Sequence, residues 1–420
     1  MNALKVRHAF YILHPTVLIS FLVARAPAVA SLGEDIGIST KQCILDVPAA
    51  EHHDTKLRCP LPVDDEVGQK PVDWSPWTHP PECLQAEGGS TLKYCVFTNS
   101  HQGNEGISII TKPETAAESV EMLNDQGLLH TRLLKNNGTK LAYEIVETPP
   151  NGKGVVAARQ ISRSEVIMTD WASVILDISF PSSVRRSQGY RLLHRAADQL
   201  SDPDKVLQLA RSSTTAADIM EDVLRTNAFS YPLAEEPHMA VYPDVSRINH
   251  ACKPNAYVRF STSNFAVSVI ATTDISVGEE INISYIPVNY TRAERQAALR
   301  RWGFDCKCSL CTASKAEIAA SDYRRQKIET LRQQVMDAID ARDGTKAVKM
   351  THEVLELLRA EELQSLYASQ YELLARLYWK AGDNETATKY ARISLETLED
   401  QGYLEPSSEN LPALLRDFSR

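Results

Sequence analysis

The chain has 420 residues, enough for two or three domains. Its 45 Lys and Arg against 54 Asp and Glu leave a net charge of -9. That excludes a broad nucleic-acid-binding surface, because phosphate binding needs concentrated basic residues. Hydrophobic residues are 43% and charged residues 24%, as in an ordinary globular chain, and the acidic balance favours a basic peptide partner by electrostatic steering.

The N-terminus reads as a leader. Lys5 and Arg7 form a basic start, an apolar run follows from Phe10 to Ala24, and Ala28-Val29-Ala30 gives a small-x-small cleavage pattern. The run is too short for a membrane span and is interrupted by His14 and Pro15, so no transmembrane anchor is expected. Cys43, Cys59, Cys83 and Cys95 follow it, with no Cys-x-x-Cys pairing. An even set placed there reads as up to two disulfides, with three connectivities open. Asn137, Asn289 and Asn384 begin glycosylation acceptor triplets, and Asn282 begins a fourth inside a strand pattern. These features point to the secretory pathway.

Trp74, Trp77 and the surrounding prolines read as a turn-rich, packed module. YCVFTNS and GISIITK have strand composition, and ETAAESVEMLND reads as a helix with Thr111 or Thr115 as its cap. Short strand patterns follow in LAYEIVET, GVVAARQI and EVIMTDWASVIL, then helical spacing over about 184–226. AYVRFST, FAVSVIAT and INISYI return to strand character, with SVGEE as a turn. Beyond Cys311 the chain is long amphipathic helix. Leu374, Tyr378, Gly382, Ala387, Ala391 and Leu395 follow the spacing of a tetratricopeptide-type helical hairpin, although Ala391 is smaller than that repeat normally carries.

The strongest signal is Cys306, Cys308 and Cys311 in GFDCKCSLC, placed after Cys252 in SRINHACKPNA. Three close thiolates and one distant one make a closed, four-coordinate zinc site of the structural type. Such a site pins the segment after Tyr285 back onto the Asn249-His250 segment.

At these residues the chain resembles the SET-domain protein-lysine methyltransferases, in particular the SET-and-MYND branch and its MYND-less fungal relatives. NGKGVVAARQI, TNAFS, YPDVSRINHACKPNA, GEEINISYIP and GFDCKCSLC stand in that family's order over about 150–311. The resemblance implies an α+β architecture. It comprises a mainly-β SET fold with a pseudo-knot and a helical insert, a zinc-bound post-SET segment and an α-helical, TPR-like C-terminal domain. The chain then divides into a signal peptide over 1–30, a Cys-containing region over 31–130, a SET domain over 141–290, a post-SET zinc segment over 291–313 and a helical domain over 314–420.

The implied activity is S-adenosylmethionine-dependent N-methylation of lysine in a protein or peptide substrate. Tyr285 is the implied catalytic residue. Gly152, Lys153, Gly154, Asn227, Ser246, Ile248, Asn249, His250, Tyr285 and Phe304 are the implied cofactor-binding residues, although relatives often carry Asn where Lys153 stands. Cys252, Cys306, Cys308 and Cys311 are the implied zinc ligands. The rival reading is a catalytically inactive SET-fold scaffold that recruits partners through its helical domain. Localisation has two readings as well: the leader points to secretion, the family to a nuclear or cytoplasmic enzyme.

Overall fold

The computed structural model describes residues 74–88, 90–124, 141–149, 152–211, 218–261 and 264–401. The leader, Cys43, Cys59 and the Asn137 triplet lie outside them. The chain divides into two compact units. One takes its described residues from Gln126–Asp170 and Arg247–Arg420, the other from Thr16–Asp125 and Trp171–Ser246.

The second unit is built on a six-stranded sheet. Its strands lie in the order Glu82–Gln85, Lys93–Asn99, Ile107–Thr111, Val174–Asp177, Glu236–Val241 and Phe229–Leu233. Ile107–Thr111 and Val174–Asp177 run parallel at its centre and are buried along their whole length. That fits their largely apolar composition, Ile107, Ile109, Ile110, Val174, Ile175 and Leu176, since a strand covered on both faces lacks regular polar alternation. Strands from before residue 112 and from 174–241 therefore share one sheet. Cys83 and Cys95 face each other on its first two strands and form a disulfide. Trp77 is buried against Phe97 with ring centroids 5.3 Å apart.

The helix Arg186–Asp198 lays Leu192, Leu193, Ala196 and Ala197 into a core with Tyr94, Val96, Ile110 and Met239. The helix Ile219–Asn227 starts at Asp218, whose carboxylate accepts from Met220 N at 2.8 Å and sits 2.7 Å from His194 Nε2. A cap of this kind contributes about 1 kcal/mol. The expected caps Thr111 and Thr115 do not cap. Thr111 ends its strand, the helix Pro113–Glu118 begins on Lys112 with Pro at its first turn, and Thr115 Oγ1 donates to Glu236 at 2.9 Å. Proline's fixed φ starts this helix without a side-chain cap. The expected strand EVIMTDWASVIL is two strands, Val166–Trp171 and Val174–Asp177.

The first unit holds two smaller sheets and the C-terminal helices. One sheet runs in the order Asn249–His250, Glu280–Ile283, Lys153–Ala157 and Tyr143–Glu147. The other runs Ala256–Phe260, Ala266–Ala271 and Val166–Trp171. The helix Arg292–Leu299 opens with a Thr291–Glu294 capping box, and Lys315–Asp340 opens with a second, Ser314–Glu317. Gly344–Ala360, Tyr367–Lys380 and Asn384–Asp400 complete the helical C-terminal region. Two of its turns share a device. Asp343 accepts from Lys346 N and Asp383 from Thr386 N, each at 3.0 Å, and each follows a positive-φ residue, Arg342 or Gly382. No described helix is long and apolar enough to cross a membrane.

Candidate functional site

The site of the first unit rests on a short parallel pairing, Asn249 opposite Asn282 and His250 opposite Ile283. Ala251 N continues it by donating to Ile283 O at 3.0 Å. Two segments distant in sequence are thereby fixed side by side, and the pairing delivers Tyr285 to Ile248. The Tyr285 hydroxyl donates to the Ile248 carbonyl at 2.7 Å, and Tyr285 N donates to His250 Nδ1 at 3.0 Å. The hydroxyl's proton is thus committed to that carbonyl, which sets the direction of the O–H dipole.

His250 is held from both sides. With Nδ1 accepting from Tyr285 N, Nε2 carries the proton and lies 3.2 Å from Cys252 Sγ. Burial pushes its pKa down to about 4, against the opposing charge of Cys308, so the ring is neutral at pH 7. Both ring nitrogens serve the protein itself. Phe304 lies 6.3 Å from the His250 ring, and Trp302 lies 5.6 Å from the Tyr285 ring. Trp302 carries no motif that the sequence analysis used, and its contacts in the fold pick it out.

Gly152, Lys153 and Gly154 form the turn and first strand residues of the Tyr143–Glu147 and Lys153–Ala157 hairpin. Gly152 has φ +79°, the left-handed region. Gly154 is required for a different reason. A Cβ there would lie 2.6 Å from Thr148 Oγ1 and 2.7 Å from Asn249 Nδ2. Asn249 Nδ2 donates to Glu280 Oε1 at 2.8 Å and to Thr148 Oγ1 at 3.1 Å, with the Lys153 carbonyl at 3.4 Å. Those bonds fix which way the amide faces and leave its Oδ1 to accept. Thr148 also closes the turn, donating Oγ1 to Gly152 O at 2.9 Å. Thr148 and Glu280 were invisible as partners in the sequence, being 101 and 31 residues from Asn249.

Asn227 and Ser246 belong to the other unit. Asn227 Nδ2 donates to the carbonyls of Val223 at 3.0 Å and Leu209 at 3.2 Å, and Ser246 Oγ donates to Asn227 O at 3.4 Å. The two residues are brought together there, with the Asn227 amide tied to its own helix.

The four sulfurs of Cys252, Cys306, Cys308 and Cys311 all lie within 4.8 Å of one another. Cys252 Sγ is 3.7 Å from Cys306 Sγ and 3.5 Å from Cys311 Sγ. Four sulfurs about 2.3 Å from a tetrahedral zinc stand about 3.8 Å apart, so the donor set and its spacing fit that ion. As bare thiols they titrate unequally. Hydrogen bonding, from Cys306 foremost, raises the pKa of Cys252, while hydrogen bonding from Cys252 lowers that of Cys308. Cys252, Ile286, Leu299, Cys306 and Cys311 form one buried cluster with Tyr285, Trp302 and Phe304 packed against it. The cysteine cage and the tyrosine therefore share packing.

Residues 152–286 match the family model described as SET domain. N-lysine methyltransferase SMYD2-B of Danio rerio is 31% identical over 130 residues, covering 30% of this chain and 30% of that protein. N-lysine methyltransferase SMYD2 of Homo sapiens is 29% identical over 167 residues, covering 37% and 38%. Histone-lysine N-methyltransferase set5 of Schizosaccharomyces pombe is 39% identical over 85 residues, covering 20% and 27%. The match thus spans well under half the length of these relatives. Residues 152–286 carry a SET domain, and that segment is similar to the SET domains of named lysine methyltransferases.

Proposed function

We propose that this protein is an S-adenosylmethionine-dependent protein-lysine N-methyltransferase. One observation carries the reading. The parallel pairing of Asn249–His250 with Asn282–Ile283 sets the Tyr285 hydroxyl 2.7 Å from the Ile248 carbonyl, inside the matched SET segment. The names of the relatives add support at family level.

When bound, the cofactor supplies an electrophilic methyl group. The chain's own residues do the rest by positioning, because oriented reactants avoid about 7–11 kcal/mol of entropic cost. Gly152, Lys153 and Gly154 offer backbone that a ligand can approach closely. Asn249, its Nδ2 held by Glu280 and Thr148, presents Oδ1 as an acceptor for an ammonium donor. Phe304 offers an apolar ring face. Tyr285, its proton fixed on Ile248 O, presents lone pairs to a polarised methyl group and to a neutral amine. Such a preset dipole favours the transition state without reorganising. Ile248 and His250 complete the cofactor set proposed for this unit, and Asn227 and Ser246 are proposed cofactor residues of the other unit by the resemblance alone. The internal bonding of His250 and Asn227 favours a backbone rather than side-chain role for both.

Cys252, Cys306, Cys308 and Cys311 are proposed to hold a structural zinc ion, supported by the spacing of their sulfurs. The crossing of the two paired segments is proposed as the family's pseudo-knot. The repeated Asp-capped turns support a TPR-like reading of 314–420, with the division at 141–290 and 291–313 kept as its companion. For localisation, the Cys83–Cys95 disulfide supports an oxidising compartment, in line with the leader reading of 1–30.

Incubation of the full chain with methyl-labelled cofactor and a protein lysate, followed by mass spectrometry, tests the activity. Labelled N-methyl-lysine from wild type, lost with Tyr285→Phe, is the expected result. Bound cofactor with no transfer to any protein would turn the reading to the inactive scaffold.

A further inference from the structure

We infer that Arg295 is the buried counter-charge of the cysteine cage, a positioning residue that keeps four thiolates together around a divalent cation. This rests on the zinc reading proposed above and adds a residue to it. The helix Arg292–Leu299 turns one face toward the cage. Arg292, Arg295, Gln296 and Leu299 are spaced three, four and seven residues from its start, which places them on that face. Arg292 Nε donates to the Cys311 carbonyl at 3.2 Å, and Gln296 Nε2 donates to the Cys306 carbonyl at 3.0 Å. Leu299 packs in the same cluster as Cys252, Cys306 and Cys311. Arg295, between Arg292 and Gln296 in position along that face, is 1% exposed.

A guanidinium does not give up its proton, so Arg295 is a charge in the core. Its Nη1 donates to the Tyr290 carbonyl at 2.7 Å. Its nearest carboxylate is Asp322 Oδ1 at 3.9 Å, an oxygen that already accepts from Arg292 N at 2.7 Å. Nε and Nη2 are buried and have no hydrogen-bond partner among the described residues.

A second buried guanidinium sharpens the imbalance. Arg325, also 1% exposed, places Nη1 3.5 Å from the same Tyr290 carbonyl and donates to the Val288 carbonyl. Its Nε takes Glu361 at 2.8 Å, but Glu361 also accepts from Arg324 Nε at 2.6 Å and Ser321 Oγ at 2.7 Å. The buried Glu361 is thus taken up by Arg325 and Arg324, and Arg295 is left with Asp322 alone, at 3.9 Å and partly exposed. Uncompensated charge of that kind is strongly disfavoured in a core. Four thiolates on a divalent cation carry two net negative charges, which is the anion this arrangement lacks. Groups outside the ligand shell are known to set metal affinity in this way.

The test compares zinc affinity of the purified full chain, by chelator competition, for wild type, Arg295→Lys, Arg295→Gln and Arg295→Met. Circular dichroism follows folding, and the cobalt-substituted absorption spectrum follows thiolate geometry. The uncharged Gln and Met variants should bind zinc roughly ten- to a hundredfold more weakly. The Lys variant, which keeps the charge on a different head, should stand closer to wild type. Gln binding zinc as tightly as Lys overturns the inference, because polarity alone then suffices. Loss of the Lys variant to misfolding also overturns it, since shape rather than charge would be decisive. Wild type that folds without zinc instead rejects the underlying metal reading, a separate outcome.

Discussion

Cys83 and Cys95 sit on neighbouring antiparallel strands that already share a hydrogen-bonded ladder from Glu82 to Val96. Cys252, Cys306, Cys308 and Cys311 come from segments with little regular structure, the cluster's only helix there being Ser309–Thr312. The disulfide reinforces a link the backbone makes anyway and closes a loop with a sequence separation of only 12. The cage joins residues 54 and 59 positions apart whose segments meet through side-chain packing rather than a strand ladder. Cross-links of the same element therefore differ in kind. One trims the unfolded ensemble, whereas the other, on the zinc reading proposed above, would supply the fold of its segment.

The comparison breaks first at the cage. Cys308→Ser should yield largely insoluble protein, because structural zinc contributes about 10–16 kcal/mol in small peptides. A soluble, folded preparation in which metal analysis finds no zinc would overturn the cage reading.

Tyr285→Phe separates chemistry from folding within the same region. Removing one hydroxyl leaves the ring against Trp302 and His250, so zinc content and cofactor affinity should hold. Turnover should fall roughly 10²–10³-fold, about 3–4 kcal/mol, as when one preset polar group is deleted from an active site. A matching fall in cofactor affinity, measured by calorimetry, would show instead that the hydroxyl acts in binding.

The disulfide should matter less. Chain entropy for a loop of about 13 residues gives just under ~3 kcal/mol, and the retained ladder should keep the strands paired when the bond is absent. The double variant Cys83→Ala with Cys95→Ala should therefore fold, melt several degrees lower and keep full methyl transfer. A double variant that fails to fold would place this disulfide in the same class as the cage.

The sequence made the cage and the pairing legible because their residues lie in short, ordered motifs. It hid what joins those motifs. Thr148 and Glu280 hold Asn249 through contacts that no spacing announces. Arg295 and Arg325 are both buried, which no helix pattern announces for an arginine. The N-terminal strands looked like a separate module, since their Pro-rich approach masked a sheet completed only by strands more than sixty residues later. Thr111 and Thr115 looked like caps by composition, and a proline decided that helix start instead.

The smallest effect distinguishes two glycines of one turn. Gly152→Ala meets no atom within 4 Å, so it costs only left-handed backbone strain at φ +79°, about 1–2 kcal/mol. Gly154 shows no such φ, but its Cβ would press on Thr148 Oγ1 and on Asn249 Nδ2. Overpacking there costs about 1–3 kcal/mol and, more tellingly, must displace the amide that Glu280 and Thr148 orient. The melting temperatures of the two variants should be similar. Both lie in the proposed cofactor turn, so both should bind cofactor less well, but Gly154→Ala should be roughly tenfold weaker than Gly152→Ala, a gap of about 1.4 kcal/mol. Equal affinities by calorimetry would mean that the orientation of Asn249 is tolerant, and that the close contact at Gly154 serves hairpin packing alone.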